Sequence, residues 1–424
     1  MKLALFGGKK TNNKVFKYNT IGKEEIRSVL EIMKKGELSG FVAAPNSSFF
    51  GGPWVKKLEQ EFINFFNVKY AVGVNSATSA LYCMLMSCGL EPGDEVITSP
   101  YTMHATASSI LQCGAIPVFA DIESNTFGLD PKEVEKKITK KTKAILAVNI
   151  FGHGAQLTKL KKIAKNNNLF LLEDNSQAPG AVIENKKYTG TIGDAGVFSF
   201  NRHKTIQCGE GGMVITNNKK LYMKSCFLRN HGESVVSAWK IKDISNTMGQ
   251  NLRLTEIQAA IAYHQFRKLV RFNKIRIKLA DRITKGLKYI NGISSPYIRK
   301  NCTHVFYFYV MMYDEKKVGI KKNLFVKALN AEGFYLREGY IKPLYLEPMF
   351  QKKICFGSKG FPFNLNKNNK KISYKKGSCK NCEDLEKNKI ILTNIISPPY
   401  NIKDMDKFIL AIKKIINNKE KFKN

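Results

Sequence analysis

The chain has 424 residues, 43% of them apolar and 11% aromatic, with a formal net charge of +35. That composition excludes a disordered chain, and no stretch approaches the ~18 consecutive apolar residues of a membrane span. Only 10 of the 69 basic residues are Arg, and the lysines spread along the whole chain, which argues for a solvated surface and against nucleic acid as the partner.

The elements follow in chain order. A helical pattern runs from Lys23 to Lys35, and a Gly/Ser-rich loop from Gly36 to Pro53. A second amphipathic helix, Trp54 to Phe66, carries Val55, Leu58, Phe62, Ile63 and Phe66 near helical spacing. From residue 70 short apolar runs alternate with helices. Strands are predicted at Ala71–Val74, Glu95–Thr98, Ile116–Ala120, Ala144–Ile150, Leu169–Leu172, Ala195–Phe200 and Gly212–Thr216, and helices at Thr78–Cys88 and Thr106–Gln112. Such alternation predicts an α/β fold: a three-layer α/β/α large domain with a mostly parallel sheet. Residues 254–288 read as one long helix. Strands such as Val305–Met312 and a closing helix, Asp404–Ile416, read as a smaller C-terminal α+β domain. The expected division is 1–260, the N-terminal segment and large domain, and 261–424, the smaller domain. Within the latter, the Lys-rich insert near 351–380 reads as a surface loop.

Nine cysteines at irregular spacing argue against a disulfide framework. Cys379 and Cys382 form a lone C-x-x-C without the second pair that a structural zinc needs, so they read as ordinary thiols and no metal is expected. The first six residues turn polar too soon for a signal peptide, and a cytoplasmic protein is expected.

Four segments carry chemistry. Val74-Asn75-Ser76-Ala77-Thr78 joins a strand to a helix, where free backbone N–H groups and the helix dipole suit an anion; an ordinary cap by Ser76 or Thr78 is the plainer alternative. Leu171-Leu172-Glu173-Asp174-Asn175-Ser176-Gln177 ends an apolar strand in two carboxylates, at the end of the sheet where ligands collect; two solvated turn residues are the alternative. Ser199 leaves a strand five residues before Lys204, and Gly209-Glu210-Gly211-Gly212 follows. A lysine in a confined site can form a Schiff base, although most lysines are surface charges. Lastly, Gly249-Gln250-Asn251-Leu252-Arg253-Leu254-Thr255-Glu256 precedes a helix capped near Thr255 or Glu256.

In this order, and with Gly93-Asp94-Glu95 and Pro100-Tyr101-Thr102 between them, these blocks resemble the DegT/DnrJ/EryC1/StrS aminotransferases, sugar aminotransferases of the fold-type-I superfamily. The resemblance runs from about residue 15 to the C-terminus. It implies pyridoxal 5′-phosphate as cofactor, held as a Schiff base by Lys204. Asp174 matches the carboxylate paired with the pyridine nitrogen, and Gln177 the side chain near the phenolic oxygen. Ala77, Thr78 and Ser199 match the phosphate pocket, and Met103 the residue that lies on the cofactor ring. Asn251 matches an asparagine that reaches the phosphate of the neighbouring subunit, which implies a homodimer with shared sites.

Three departures stand out, the third being the Lys-rich insert near 351–380, which either reshapes the substrate entrance or lies on the surface. Ala77 replaces the usual glycine of a Ser-Gly-Thr turn, which requires φ to stay negative. Met103 replaces an aromatic, and a thioether can pack on a ring face. The implied activity is ping-pong transfer of an amino group from an amino acid, glutamate or glutamine, to a keto sugar, most often nucleotide-linked. Ser39, Gly40, His153, Tyr188 and His231 are candidate substrate-wall residues. Relatives with histidine in place of Lys204 are keto-sugar dehydratases; a dehydratase, a non-catalytic regulator on the same scaffold and, more remotely, a nucleic-acid-binding protein are the alternative readings.

Overall fold

The computed structural model describes residues 2–14, 18–184, 186–366 and 371–422. Seven strands build the larger sheet: β1 Tyr70–Val74, β2 Glu95–Thr98, β3 Ile116–Phe119, β4 Thr142–Val148, β5 Phe170–Asp174, β6 Ala195–Ser199 and β7 Gly212–Thr216. Their spatial order is β1-β7-β6-β5-β4-β2-β3. β7 is antiparallel to both neighbours, and every other pairing is parallel. The expected mostly parallel α/β sheet is therefore present.

Alternate side chains enter different cores, as the two-residue period of a strand requires. Val96, Leu146, Leu172, Val197 and Val214 join one core with helices α3 (Ala77–Ser87), α4 (His104–Gln112) and α7 (Lys219–Arg229). Phe198, Met213 and Ile215 face the opposite side with α2 (Pro53–Phe66) and α8 (Glu256–Arg267). Ile97, Ile145 and Leu171 pack there on α5 (Pro131–Lys137) and α6 (Leu157–Asn166). Burial on both faces explains why these strands read as continuous apolar runs.

A second sheet holds β8 Ile293–Ser294, β9 Tyr309–Tyr313, β10 Leu336–Arg337 and β11 Ile390–Thr393, all antiparallel, in the order β10-β11-β9-β8. Its core is closed by α9 (Leu269–Leu287) and the helices Lys322–Ala331 and Ile402–Ile416.

Four expectations need correction. The long helix 254–288 is two helices that meet at Lys268. Lys268 Nζ is drawn to the buried Glu25 carboxylate at 2.5 Å, and its amide closes a tight turn on the Gln265 carbonyl. The strand expected at Val305–Met312 begins only at Tyr309, because Phe306 has φ 51° and Tyr307 donates its amide to Phe151 of the larger unit.

The N-terminal residues, read with the larger sheet, pack on the core of the second sheet. Leu3 is buried in its core, and the Glu332 carboxylate accepts from the amides of Ala4 and Thr11 and from Lys414 Nζ. The insert near 351–380 is not simply a surface loop. Phe363, Tyr374 and Cys379 are buried, and the Tyr374 hydroxyl donates to the Pro117 carbonyl of β3 at 2.8 Å. Residues 367–370 of that insert lie outside the described residues.

Helix α1 (Lys23–Lys35) turns Glu25, Ser28 and Ile32 inward, whereas Ile26, Leu30 and Met33 are each 55% exposed. At spacings of four and three residues they form one apolar stripe.

Candidate active site

The carboxyl ends of β4, β5 and β6 and the first turn of α3 surround a cleft of about 320 Å³. Its walls bring together seven of the eight predicted site residues: Ala77, Thr78, Met103, Asp174, Gln177, Ser199 and Lys204.

The anion end is built by α3. Ser76 is the cap: its Oγ accepts from the Ser79 amide at 3.1 Å and its carbonyl accepts from Ala80. The cap thereby leaves the amides of Ala77 and Thr78 for another acceptor at the positive end of the helix dipole. Ala77 is the first helical residue and has no positive φ, so alanine costs the turn nothing. Gly212 is required beside it, because a Cβ there would lie 2.5 Å from the Ser76 carbonyl oxygen and 2.7 Å from the Ala77 nitrogen. Ser199, buried at the end of β6, completes this wall.

Asp174 ends β5. Its Oδ2 accepts from the Thr106 hydroxyl at 2.8 Å and its Oδ1 from the Ser176 amide at 3.2 Å. Glu173, the preceding residue, points to the other side and is fully buried. Its oxygens accept from the amides of Gly190 (2.6 Å), Ile192 (2.7 Å) and Gly193 (2.7 Å) and from Asn149 Nδ2 (3.0 Å). Neither carboxylate is the solvated turn residue of the plainer reading.

Lys204 follows a short turn whose amide bond runs to the Asn201 carbonyl at 2.8 Å. Its half-buried side chain places Nζ 4.8 Å from the centre of the Tyr307 ring. Gln177 is fixed at both ends: the Phe151 amide donates to Oε1 at 2.8 Å, and Nε2 donates to the Tyr340 hydroxyl at 2.9 Å. Met103 is 53% exposed in the cleft wall, and its Sδ accepts from the Ala105 amide at 3.1 Å.

Asn251 does not line this cleft; it is exposed and bridges to Asn230 on a flank of the molecule. The five substrate-wall candidates also lie elsewhere. Gly40 is pressed against Gly52, beside Ser39, and His231 bonds Glu233 at 3.2 Å. Tyr188 stacks on Phe65 at 5.1 Å. His153 is buried, with Nδ1 on the Gly154 carbonyl and Nε2 accepting from the Arg299 amide.

Thr106, Tyr307 and Tyr340 are site residues that the sequence reading missed. Thr106 carries a signal in retrospect, since it sits one helical turn beyond Thr102 on the same wall. The two tyrosines flank strands of the second sheet, Tyr307 before β9 and Tyr340 after β10, and nothing local marks them. Cys379 and Cys382 are both free, buried thiols whose pKa values burial raises.

The DegT/DnrJ/EryC1/StrS aminotransferase family matches residues 22–371. The chain belongs to that family. It is 35% identical over 353 residues to the spore coat polysaccharide biosynthesis protein SpsC of Bacillus subtilis, spanning 82% of this chain and 87% of that one. It is 33% identical over 307 residues to GDP-perosamine synthase of Escherichia coli O157:H7, spanning 71% and 80% respectively. Among solved structures, Helicobacter pylori PseC, an aminotransferase involved in the biosynthesis of pseudoaminic acid, superimposes with a TM-score of 0.77 at 26% identity. That match covers 95% of this chain and 99% of PseC.

The protein is therefore a pyridoxal-phosphate-dependent enzyme of a sugar aminotransferase family. The residues present fit the cofactor: a helix N-terminus with open amides, a buried carboxylate and a lysine share one cleft.

Proposed function

We propose that this chain moves an amino group from glutamate or glutamine to the ketone of a nucleotide-linked sugar. The observation that carries this reading is that Lys204, Asp174 and the first turn of α3 wall a single cleft. Pyridoxal phosphate, when bound, supplies the electron sink that makes the donor's α-hydrogen acidic.

The chain's own residues do the rest. The Ala77 and Thr78 amides and Ser199 hold the phosphate. Asp174, kept in place by Thr106 and Ser176, holds a proton at the pyridine nitrogen. Gln177 offers an N–H to the phenolic oxygen. Lys204 Nζ would hold the cofactor, and as a free neutral amine it would carry the proton away from the donor's α-carbon. The keto-sugar acceptor runs the same steps backwards, so donor and acceptor alternate in one site.

A homodimer is part of the proposal. The outward stripe of Ile26, Leu30 and Met33 needs a cover, and Asn251 sits exposed on a flank with Leu38 and Val42 nearby. A second copy of the chain supplies that cover and brings its own Asn251 toward the phosphate. A cytoplasmic location is proposed as well, supported by nine cysteines that are all free. So is a larger unit to about residue 260 and a smaller one beyond, with residues 2–14 packed on the latter.

The test is an absorbance spectrum of the protein with added pyridoxal phosphate, followed by excess glutamate. A visible band that bleaches on glutamate addition is expected. Lys204→Ala should abolish the band, whereas His203→Ala should keep it. A band that survives Lys204→Ala would refute the assignment.

A further inference from the structure

The positive charge of this chain peaks in the insert. Residues 351–380 hold nine lysines and no Asp or Glu, about twice the lysine density of the whole chain. A second run joins it in space. Residues 132–143 hold six lysines and two glutamates. Lys371 Nζ donates to the Ile138 carbonyl at 2.6 Å, and Lys137 and Lys141 Nζ reach the carbonyls of Lys371 and Leu365, both at 3.4 Å. Ion pairs do little to neutralise this face. Glu133 is taken by Lys136, and Asp94 accepts from the Glu91 amide at 2.9 Å. Lys352, Lys353, Lys359, Lys375, Lys376 and Lys380 are exposed and, among the described residues, in no ion pair.

Apolar side chains stand among these lysines: Ile354, Phe356 and Leu365 are 43%, 46% and 42% exposed. Two of them are the outer members of one cluster. The Gly93 amide donates to the Gly114 carbonyl at 2.9 Å, Leu365 packs over Gly93, and Phe361 packs over Gly114. Phe356 rests against Phe361, with ring centres 6.0 Å apart. Gly93, Gly114 and Lys141 lie just before β2, β3 and β4. The patch therefore sits at the amino ends of these parallel strands, whereas the cofactor cleft opens at the carboxyl end of β4.

We propose that this face docks on an anionic lipid bilayer. Charge complementarity names the occupant: ammonium groups are drawn to a sheet of negative headgroups without needing a fixed partner. Exposed aromatic and aliphatic side chains set among them enter the headgroup boundary. Nucleic acid would answer the charge but not Phe356 and Leu365, and neither lysine run contains an arginine. The contact is peripheral, since no helix among the described residues is long and apolar enough to cross a membrane. Docked in this way, the chain keeps its cleft open to the solution.

The test is sedimentation of the full chain with vesicles of phosphatidylcholine, alone or mixed with an equal part of phosphatidylglycerol. Binding to the anionic vesicles only is expected, weakening as salt rises. The triple change Lys375→Gln, Lys376→Gln and Lys380→Gln should lower the partition constant about tenfold or more. The same charge loss at the exposed Lys413, Lys419 and Lys421 should lower it less than about threefold. Phe356→Trp should give a blue-shifted emission on anionic vesicles, measured against the unaltered protein. Unchanged circular dichroism in every variant separates loss of docking from loss of fold.

An unaltered protein that sediments with neither vesicle would overturn the proposal. So would equal losses from the two triple changes, which would assign the attraction to the net charge of the whole chain. A short DNA duplex held more tightly than the anionic vesicles, and released by the insert changes, would give the face to nucleic acid instead.

Discussion

Gln177 and Tyr340 stand 163 positions apart in the chain and meet in the cleft at 2.9 Å. Because the Phe151 amide can only donate, Gln177 Oε1 must be the atom it meets. The amide is thereby oriented with Nε2 toward Tyr340, and its second N–H is left for the cleft. Tyr340 is itself held through its backbone amide by Glu386 at 2.9 Å. Tyr340→Phe removes the acceptor without changing the shape. The expected result is a three- to tenfold fall in kcat/KM, roughly the worth of one neutral hydrogen bond, with circular dichroism unchanged. Unaltered kinetics would show that Gln177 is oriented without Tyr340.

Glu173 is a structural carboxylate beside a functional one. It gathers the amides of Gly190, Ile192 and Gly193 into one turn. Glu173→Ala strands three backbone amides and an N–H of Asn149, so a loss of about 4 kcal/mol or more in urea unfolding is expected. A loss below about 1 kcal/mol would mean that water replaces the carboxylate.

His153 predicts acid sensitivity. Its Nδ1 meets the Gly154 carbonyl and its Nε2 accepts from the Arg299 amide, so protonation would set N–H against N–H. Burial first, then the Arg299 charge, lowers its pKa to about 4, with Glu184 opposing. His304, its ring 5.6 Å away and fully buried, is lowered too. Between an unfolded value of about 6.5 and a folded value of about 4, the unfolded chain binds a proton that the folded chain does not. Stability therefore falls as pH drops through that window, by about 3 kcal/mol from His153 at most. His153→Asn should flatten the acid limb of a stability–pH curve between pH 6.5 and 4; an unchanged limb would exclude His153 as its source.

Arg229 ties the N-terminal loop to the sheet. Its Nη1 pairs with Glu59 at 2.6 Å and also reaches the Gly73 carbonyl, while Nη2 donates to the Phe50 carbonyl. Burial pushes the Glu59 pKa up, against the pull of Arg229. Arg229→Met alone should cost about 3–5 kcal/mol, because Glu59 is left buried and unpaired. The double change Arg229→Met with Glu59→Leu should recover part of that loss in the same unfolding assay.

The larger sheet was legible because its strands are short apolar runs between turn-forming residues, and β2 and β7 have the bounds that pattern predicts. The cofactor-side residues were legible because each lies at a strand end or helix start. Three helices, α5, α6 and α7, were overlooked among lysine-rich stretches whose apolar period is sparse. Tyr307 and Tyr340 were invisible for a different reason: their positions depend on how the second sheet docks onto the first. The wall candidates do not line the cleft of their own chain, because a residue near a motif in sequence need not face the same space. His153 follows β4 after the short turn Ile150–Gly152, and its ring turns into the protein.

The packing of Tyr374 on Pro117 has one more consequence. β3 is an outer strand of the larger sheet, and its unpaired backbone groups would otherwise offer a template to any extended chain. The insert seals that rim with Phe363 and Tyr374 and turns Lys375 and Lys376 to water. Removing it while keeping the rest of the chain would open a sticky border, and the visible outcome would be concentration-dependent aggregation rather than a change at the cleft.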